Sequence, residues 1–361
     1  MNRMDTTNNR NTKTIFVHTL HPIIILVPRL YSAGGVANFY ASIRQFLSKD
    51  IIYLYRGKDG KKNKIYRTLL DYYKYIKTVC NESKQGTVVI NHSLGPGSFL
   101  RDTLYAFITP SKYKKIIFFR GWNSTFEKKI EKSFFLKKWL NYTFLNADHI
   151  IVLSSSFKSK LIKWGFKQEI STETTLVDER LLNSESWKSL SEHRNKLKEL
   201  GLLYLGNISR AKGIWEIVES LNYMNNDLCC KIKLTVAGKG EEFKALQQYS
   251  KEKKLKIELP GFVTEDKKTA TFKNSNLYIF PSAHGEGMPN SVLEAMAFGL
   301  PIITTKVGGI TDFFEDGKMG LFLDNRNPEH IAEKIEYLLD RPKLMQQMSE
   351  YNYNYAKEHF Y

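Results

Sequence analysis

The chain has 361 residues, of which 42% are hydrophobic, and its formal net charge at pH 7 is +17. This length is enough for two domains with separate cores, and no apolar run reaches the ~18 residues that a membrane-spanning helix requires. The three cysteines, Cys80, Cys229 and Cys230, contain no CxxC pair, so the sequence predicts neither a disulfide framework nor a zinc site.

The positive charge lies in the first half of the chain. Residues 1–190 contain 31 Lys and Arg against 14 Asp and Glu, whereas residues 191–361 contain 23 against 23. Such a surplus of positive charge favours an anionic partner. Three classes of partner fit, namely a lipid surface, a pyrophosphate-linked acceptor and nucleic acid. The alternative is a lysine-rich coding bias that affects only solubility. Since the first 14 residues lack the apolar core of a secretory signal, we expect a cytoplasmic protein.

The first elements of the chain are a predicted strand, a turn and a helix. After an apolar run at residues 14–18, the run Ile23–Val27 is predicted to be the first core strand, and a helical pattern covers residues 37–47. Gly34 and Gly35 stand between the strand and the helix. Glycines at such a turn let main-chain N–H groups approach a phosphate, although a tight turn also needs glycine for steric reasons alone.

Strands and helices then alternate as far as residue 164. Strands are predicted at residues 51–55, 87–91, 116–119 and 149–153, and helices at residues 65–80, 98–107 and 127–146. This alternation predicts a parallel α/β sheet. His92 and Arg120 follow two of these strands directly, so both are candidates for a pocket at the carboxyl edge of the sheet.

The helix predicted at residues 127–146 combines lysines with large apolar side chains, and it has two interpretations. It is either a membrane-surface helix or an ordinary helix that buries one stripe and solvates its lysines. The residues concerned are Lys128, Lys129, Lys132, Phe134, Phe135, Leu136, Lys137, Lys138, Trp139 and Leu140.

A polar segment at residues 179–198 is predicted to connect two domains, with the boundary near residue 195. The second domain begins with a strand at residues 202–205 and a turn that contains Lys212. Cations and free N–H groups at a helix start suit a diphosphate. Without such a ligand, Lys212 would be an ordinary solvated lysine.

The most informative stretch comprises residues 276–309. A β-favouring run at residues 277–280 precedes a glycine-bearing loop, Asn290 is predicted to cap the following helix, and residues 301–305 read as the next buried strand. Glu286 lies in the loop and Glu294 in the first turns of the helix. The two carboxylates are therefore placed to address different parts of one elongated ligand that lies across the helix N-terminus.

The run Glu286-Gly287-x-Pro289-x-x-x-x-Glu294-Ala-Met-Ala-x-Gly-x-Pro resembles the signature of the family 4 glycosyltransferases. These are retaining enzymes of the GT-B fold that use nucleotide-diphospho-sugars. The resemblance implies an α/β protein with two Rossmann-like domains facing a central cleft. The implied parts are an acceptor-side domain at residues 1–195, a donor-binding domain at residues 196–342, and a terminal helix at residues 343–361 that returns to the first domain.

The resemblance also implies roles for individual residues. Glu294 would bind the ribose hydroxyls, Glu286 would face the sugar, and Lys212 would bind the donor phosphates. Glu286 and Lys212 are thus expected to be catalytic, and we add Arg120 to them. The expected donor-binding residues are Gly34, Gly35, Asn207, Arg210, Lys212, Val263, Gly287, Met288, Pro289, Asn290 and Glu294.

Two positions depart from the family pattern. Arg120 stands where many relatives have a histidine close to the transferred sugar, and an arginine stays protonated, so it cannot be a general base but can bind an anion. Asn207 replaces an arginine that contacts the donor phosphates in relatives. Arg210, three residues later, is the candidate to supply the missing charge. His92 remains a second candidate for the pocket.

The expected function is transfer of a sugar from a nucleotide-diphospho-sugar to a carbohydrate acceptor, with no metal ion or other cofactor. Lys212 and helix-start amides would stabilise the leaving group. The expected acceptor is a lipid-pyrophosphate-linked oligosaccharide in O-antigen, capsule or exopolysaccharide synthesis, bound at the inner face of the cell membrane. The alternatives are a nucleotide-sugar epimerase with a GT-B-like fold and a catalytically silent assembly partner. Nucleic-acid binding is not expected, since no nucleic-acid motif is present.

Overall fold

The computed structural model describes residues 21–29, 34–48, 50–57, 64–82, 84–182, 185–283 and 285–361. Within these ranges the chain forms two six-stranded sheets whose strands all pair in parallel. The predicted α/β fold is therefore confirmed. The apolar run predicted at residues 14–18, and part of the turn that precedes Gly34, lie outside the described ranges.

The first sheet has the strand order β2-β1-β3-β4-β5-β6, and its strands are rich in Ile, Val, Phe and Tyr. The strands are β1 (Ile23–Val27), β2 (Ile51–Tyr55), β3 (Gly86–Leu94), β4 (Tyr113–Trp122), β5 (His149–Val152) and β6 (Glu169–Thr172). All the strands predicted in this half are confirmed. The helices are α1 (Gly35–Ile43), α2 (Lys64–Asn81), α3 (Pro96–Ile108), α4 (Ser124–Lys132), α5 (Phe134–Phe144) and α6 (Ser155–Lys163).

Connection handedness places these helices on two faces of the sheet. The chain moves outward from β1 to β2 and then crosses back to β3, so α1 covers one face and the later helices cover the other. The packing agrees, because Tyr40 of α1 belongs to one small core, while Tyr75 of α2 and Phe144 of α5 belong to a larger core on the opposite side.

The prediction of a single helix at residues 127–146 is wrong, because the structure has two helices there. Helix α4 ends and α5 begins at Ser133, whose backbone is extended. The Ser133 hydroxyl accepts a hydrogen bond from the backbone N–H of Leu136, so the serine caps the second helix. Because of this break, the direction in which the aromatic residues of α5 point does not follow from the direction of the lysines of α4.

The second sheet has the order β12-β11-β10-β7-β8-β9 and a core that is more fully buried. Its strands are β7 (Leu200–Leu205), β8 (Ile232–Ala237), β9 (Ile257–Gly261), β10 (Leu277–Phe280), β11 (Ile302–Thr305) and β12 (Gly320–Leu323). The helices are α7 (Trp187–Asn195), α8 (Ile214–Ser220), α9 (Asn226–Cys229), α10 (Phe243–Glu252), α11 (Glu265–Lys273), α12 (Asn290–Ala297), α13 (Pro328–Leu339) and α14 (Pro342–His359).

The polar connection at residues 179–198 contains a helix, α7, that its composition did not predict. Leu190 of α7 is fully buried in the core of the second sheet, together with Val177 and Leu182 from the preceding segment. The chain thus joins the second core well before residue 195. The domain boundaries inferred from the sequence stay predictions.

The terminal helix α14 packs against α12 and α13 of the second sheet. Its buried Asn352 donates hydrogen bonds to the carbonyl oxygens of Leu300 and Met319. The Phe360 carbonyl accepts from the backbone N–H of Val177. The helix therefore also contacts the connection between the sheets, and its predicted return to the first domain stays a prediction.

None of the helices in the described ranges combines the length and the apolar character that crossing a bilayer requires.

Candidate active site

The carboxyl ends of the two sheets face a common cavity of about 950 Å³. The first domain contributes Arg120 at the end of β4 and Gly34 after β1, and the second contributes Lys212 and Glu286. This is where parallel α/β sheets bind ligands, because the loops at that edge carry free main-chain groups and helix N-termini. The cavity is large enough for a nucleotide-sized ligand.

Glu286 and Lys212 form an ion pair in the wall of this cavity. The Lys212 ammonium group donates to Oε1 of Glu286, and the hydroxyl of Ser282 donates to the same oxygen at 2.8 Å. The side chain of Glu286 is 14% exposed and that of Lys212 is 16% exposed. Two residues 74 positions apart in the chain are thus brought together where the sequence expected both to contact the donor.

Backbone contacts explain how these two residues meet. Lys212 ends a 3₁₀ turn, and the carbonyl of Ala211 in that turn accepts from the backbone N–H of Ala283 in the loop after β10. Gly213 follows with φ 77°, and a Cβ atom there would lie 2.4 Å from the carbonyl oxygen of Pro281. Only glycine fits this position, so the turn and the loop can lie in direct contact.

The loop that carries Glu286 is pressed against the first domain. A Cβ atom on Gly285 would lie 2.0 Å from the Trp122 carbonyl oxygen, and one on Gly287 would lie 2.5 Å from that of Arg120. The Gly287 carbonyl also accepts from the backbone N–H of Gly309. Glycine at these positions lets the loop lie against the end of β4, and Glu286 is thereby held between the domains.

Glu294 forms a second ion pair, with Lys268 of α11. Lys268 Nζ lies 2.5 Å from Glu294 Oε1, and both side chains line the cavity although they are almost fully buried. The sequence did not indicate Lys268, which stands in a polar stretch without a recognisable motif. The carboxylate expected to bind ribose thus has a cation beside it.

Arg120 lies on the opposite wall, and its charge has no carboxylate partner among the described residues. Its guanidinium carbon lies 4.2 Å and 4.4 Å from the ring centroids of Phe39 and Phe118. The residue is 9% exposed, and its Nε and Nη1 atoms are buried without a hydrogen-bond partner in the described part of the chain. Burial lowers the pKa of Arg120 to about 10, so it is still protonated at neutral pH.

The structure does not bring Arg210 to the cavity. Its side chain is 74% exposed, and Nε lies 3.2 Å from Glu242 Oε1. The cation that lines the cavity in its place is Lys239, which follows β8 and lies over the ring of Phe262. The signal for Lys239 was its position between two glycines directly after a strand.

Asn290 lies at the first position of α12 and does not cap the helix as predicted. Its side-chain oxygen accepts from the hydroxyl of Thr175 at 2.9 Å, which links the two halves of the chain. Asn207, Gly35, Met288 and Pro289 also line the cavity.

Val263 lines a neighbouring cavity of about 450 Å³ that shares Glu294 and Phe262 with the larger one. The two cavities therefore share part of their wall and follow each other along the second domain. The residues expected to bind base, ribose, phosphates and sugar follow one another along this path.

His92 is not a residue of the cavity. It is fully buried, and its Nδ1 lies 3.1 Å from Asp102 Oδ2. Burial alone would raise the pKa of Asp102, but Arg56 and the His92 hydrogen bond hold that pKa well below its usual value. Burial lowers the pKa of His92 itself. The pocket role considered for His92 is therefore wrong, and the residue belongs to a buried polar network.

Residues 185–355 match the family described as glycosyl transferases group 1. The chain is 28% identical to the uncharacterized glycosyltransferase MJ1069 of Methanocaldococcus jannaschii over 278 residues, which are 73% of this chain and 69% of that protein. It is 27% identical to the capsular polysaccharide biosynthesis glycosyltransferase CapM of Staphylococcus aureus over 290 residues, 74% and 72% of the two chains.

Solved structures resemble the whole fold at low sequence identity. Anabaena Alr3699/HepE, solved in complex with UDP-glucose, superposes with a TM-score of 0.72 at 14% identity and covers 94% of this chain and 95% of its own. Sucrose-phosphate synthase from Thermosynechococcus elongatus gives a TM-score of 0.75 at 15% identity, with the same coverage. At such identities the likeness establishes the fold.

Proposed function

We propose that this chain, a glycosyltransferase of the GT-B fold whose residues 185–355 match the glycosyl transferases group 1 family model, transfers a sugar from a nucleotide-diphospho-sugar to a carbohydrate acceptor with retention of configuration. The observation that carries the proposal is the meeting of Lys212, Glu286 and Glu294 in one cavity between the domains. The UDP-glucose complex of Alr3699/HepE supports the choice of donor class.

The donor lies along the second domain, with its base near Val263 and its ribose at Glu294. A carboxylate with two acceptor oxygens suits a diol, and Lys268 holds it in place until the ribose arrives. Lys212 exchanges Glu286 for the diphosphate when the donor binds. Glu286, still hydrogen-bonded to Ser282, then faces the hydroxyls of the sugar.

Sugar transfer requires the bond between the anomeric carbon and the diphosphate oxygen to break. The acceptor hydroxyl oxygen bonds to that carbon, and its proton leaves with the nucleoside diphosphate. Negative charge develops on the leaving group, and Lys212, with Lys239 nearby, stabilises it. Since these residues supply positive charge, the reaction needs no metal ion, and a chelator should leave its rate unchanged.

The acceptor side is formed by the first domain, and we assign Arg120 to an anionic group there. Its guanidinium, whose Nε and Nη1 have no hydrogen-bond partner among the described residues, lines the cavity opposite Lys212 and suits a phosphate of the acceptor. The acceptor we favour is a lipid-pyrophosphate-linked oligosaccharide in surface-polysaccharide synthesis, at the inner face of the membrane. The name of CapM and the basic first half of the chain support this choice.

The test is to incubate the protein with UDP-, GDP- and ADP-sugars and measure acceptor-dependent release of nucleotide. Glu286→Gln should abolish most release, and Glu333→Gln, an exposed glutamate on α13, should not. Proton NMR of the product then gives its anomeric configuration. Conversion of a donor without any acceptor would indicate an epimerase. Absence of both release and donor binding would exclude the enzymatic proposal.

A further inference from the structure

Helix α2 exposes large apolar side chains along one face. Tyr66, Leu69, Tyr73 and Ile76 recur every three or four residues, and each is exposed although the opposite face packs into the core. Singly exposed apolar residues are common in proteins, but a continuous stripe along a helix normally marks an interaction surface.

Helix α5 exposes a second set of aromatic side chains. Phe134 and Phe135, its first two residues, are 71% and 82% exposed, and Tyr142 lies two turns further on the same side. The sequence left open whether this region is a membrane-surface helix or an ordinary one. The side of α5 that packs into the core is formed by Leu140 and Phe144. The exposed aromatic residues of the helix therefore make no contribution to that core.

Helix α3 lies between these two helices and joins their exposed sides into one surface. Tyr72 of α2 donates to the carbonyl of Arg101 in α3, and the rings of Phe107 in α3 and Tyr142 in α5 are 6.1 Å apart. Leu100 and Phe107 of α3 are themselves exposed. We call the exposed sides of α2, α3 and α5 the outer face.

Exposed lysines lie on α5 and on the neighbouring helix α4. Lys128, Lys129 and Lys132 of α4 are exposed, and Lys138 lies between the aromatic residues of α5. Of the two glutamates of α4, Glu127 is buried, where it is ion-paired with Lys160 and accepts from the indole N–H of Trp122, so it offsets little of this charge at the surface. Glu131 is exposed and offsets one of the three lysine charges. Aromatic side chains surrounded by lysines are the combination that binds an anionic bilayer.

We propose that the outer face is a docking surface for an anionic lipid bilayer. The aromatic residues enter the interface, where one end of a ring is apolar and the other is hydrated, and the lysines pair with lipid phosphates. Charge complementarity decides for lipid over a second copy of this chain, because two such lysine-rich faces would repel each other.

The outer face also begins at the catalytic cavity. Gly95 and Asn123 line that cavity and directly precede α3 and α4. A bilayer docked on these helices therefore lies beside the first-domain wall of the cavity. This point rests on the proposed function, since it lets a lipid-linked acceptor reach Arg120 without leaving the membrane.

The test is co-sedimentation of the full chain with phosphatidylcholine vesicles, with and without phosphatidylglycerol. The chain should bind only the anionic vesicles. Phe134→Ser with Phe135→Ser, or Leu69→Ser with Tyr73→Ser, should weaken partitioning by about tenfold or more, since each exposed ring or leucine loses its burial in lipid. Tyr223→Ser with Tyr337→Ser, two exposed tyrosines of the second domain, should not change binding.

Charge is tested separately. Lys128→Gln, Lys129→Gln and Lys132→Gln together should reduce binding to anionic vesicles, whereas the same change at Lys244, Lys251 and Lys253 near α10 should have little effect. The melting midpoint of each variant shows whether it is folded. Equal loss in both lysine sets would indicate a nonspecific charge effect and contradict the proposal.

Two further outcomes would overturn the assignment of the outer face. One is no binding to anionic vesicles by the unaltered chain. The other is a dimer, seen by sedimentation velocity without lipid, that the Phe134 and Phe135 changes dissociate. Nucleotide release with a soluble acceptor is measured on the same samples. If release persists while vesicle binding fails, only the docking surface is wrong, and if release fails while binding persists, only the proposed function is.

Discussion

The two walls of the cavity differ in whether their positively charged side chains have carboxylate partners. On the second-domain wall two lysines have carboxylate partners, in the pairs Lys212–Glu286 and Lys268–Glu294. On the first-domain wall Arg120 lies between two phenylalanine rings, and no carboxylate among the described residues pairs with it.

Under the proposed function, this difference indicates how the donor and the acceptor bind. Paired side chains are already held in position, so a donor exchanges one partner for another and little net desolvation is required. An unpaired buried cation destabilises the empty protein and is relieved when an anion binds. In the proposed function the second-domain wall is thus prearranged for the donor, whereas Arg120 on the first-domain wall keeps its charge for the acceptor.

The largest effect is expected from Lys212. Lys212→Ala removes the cation that we propose stabilises the leaving group, and we expect kcat to fall by about 10²–10³-fold, or ~3 kcal/mol. It also leaves Glu286 with Ser282 as its remaining partner among the described residues. Arg210→Ala is the matched control, because Arg210 lies outside the cavity and its loss should change kcat little. Steady-state kinetics decide between them, and equal losses would contradict the placement of Arg210.

A smaller effect is expected from the contact between the walls. Gly287→Ala places a Cβ atom 2.5 Å from the Arg120 carbonyl oxygen, so the loop must withdraw and carry Glu286 with it. We expect kcat to fall by about tenfold or more, since displacement of a reacting group by about 1 Å can change a rate by this much. Gly97→Ala is the control, because nothing lies within 4 Å of that Cβ position.

The second ion pair is tested by a double-mutant cycle. Glu294→Gln should raise the donor KM by about tenfold, since an amide binds a diol less well than a carboxylate does. Lys268→Met should raise the KM as well and should destabilise the fold, because it leaves Glu294 buried without its cation. The combined variant should lose less than the sum of the two single changes. Strict additivity would show that the pair acts independently.

The smallest expected effect is on the melting midpoint, and it is tested by comparing two buried arginines, Arg120 and Arg194. Burial lowers the pKa of both Arg120 and Arg194 to about 10, but Arg194 donates to the carbonyls of Phe298 and Gly299 at the end of α12. For each residue the folded state loses its proton at lower pH than the unfolded state, so the cost of burying the charge is fully present below pH 10. This cost decreases as the pH rises above 10, and it is absent once the pH exceeds the pKa of the arginine in the unfolded chain.

Arg120→Met should therefore raise the melting midpoint at pH 7 by about 2 °C, while it lowers acceptor-dependent turnover. Arg194→Met should lower the midpoint, because the helix carbonyls lose their donor. Differential scanning calorimetry measures both. A fall in the midpoint of Arg120→Met would show that its contacts with the two phenylalanines outweigh the desolvation of its charge.

Much of the candidate site was predictable because the signals are local. The apolar run of β10, the glycine-bearing loop and the helix with Glu294 are neighbours in the chain, and the structure places them as the pattern indicated. Lys212 was found in the same way, at a turn after a strand. The break between α4 and α5 was missed because a single serine within a helical pattern does not by itself predict a break. In the structure the backbone of Ser133 is extended, and this ends α4.

The sequence by itself determined the α/β fold and the positions of Glu286, Glu294 and Lys212, since strand and helix patterns and the residues at their ends are set by near neighbours. Only the tertiary structure decided that Lys212 pairs with Glu286, that Lys268 pairs with Glu294, and that Lys239 lines the cavity instead of Arg210. The physical reason is that the direction of a side chain on a turn, and its choice of partner, depend on residues distant in the chain that pack against it.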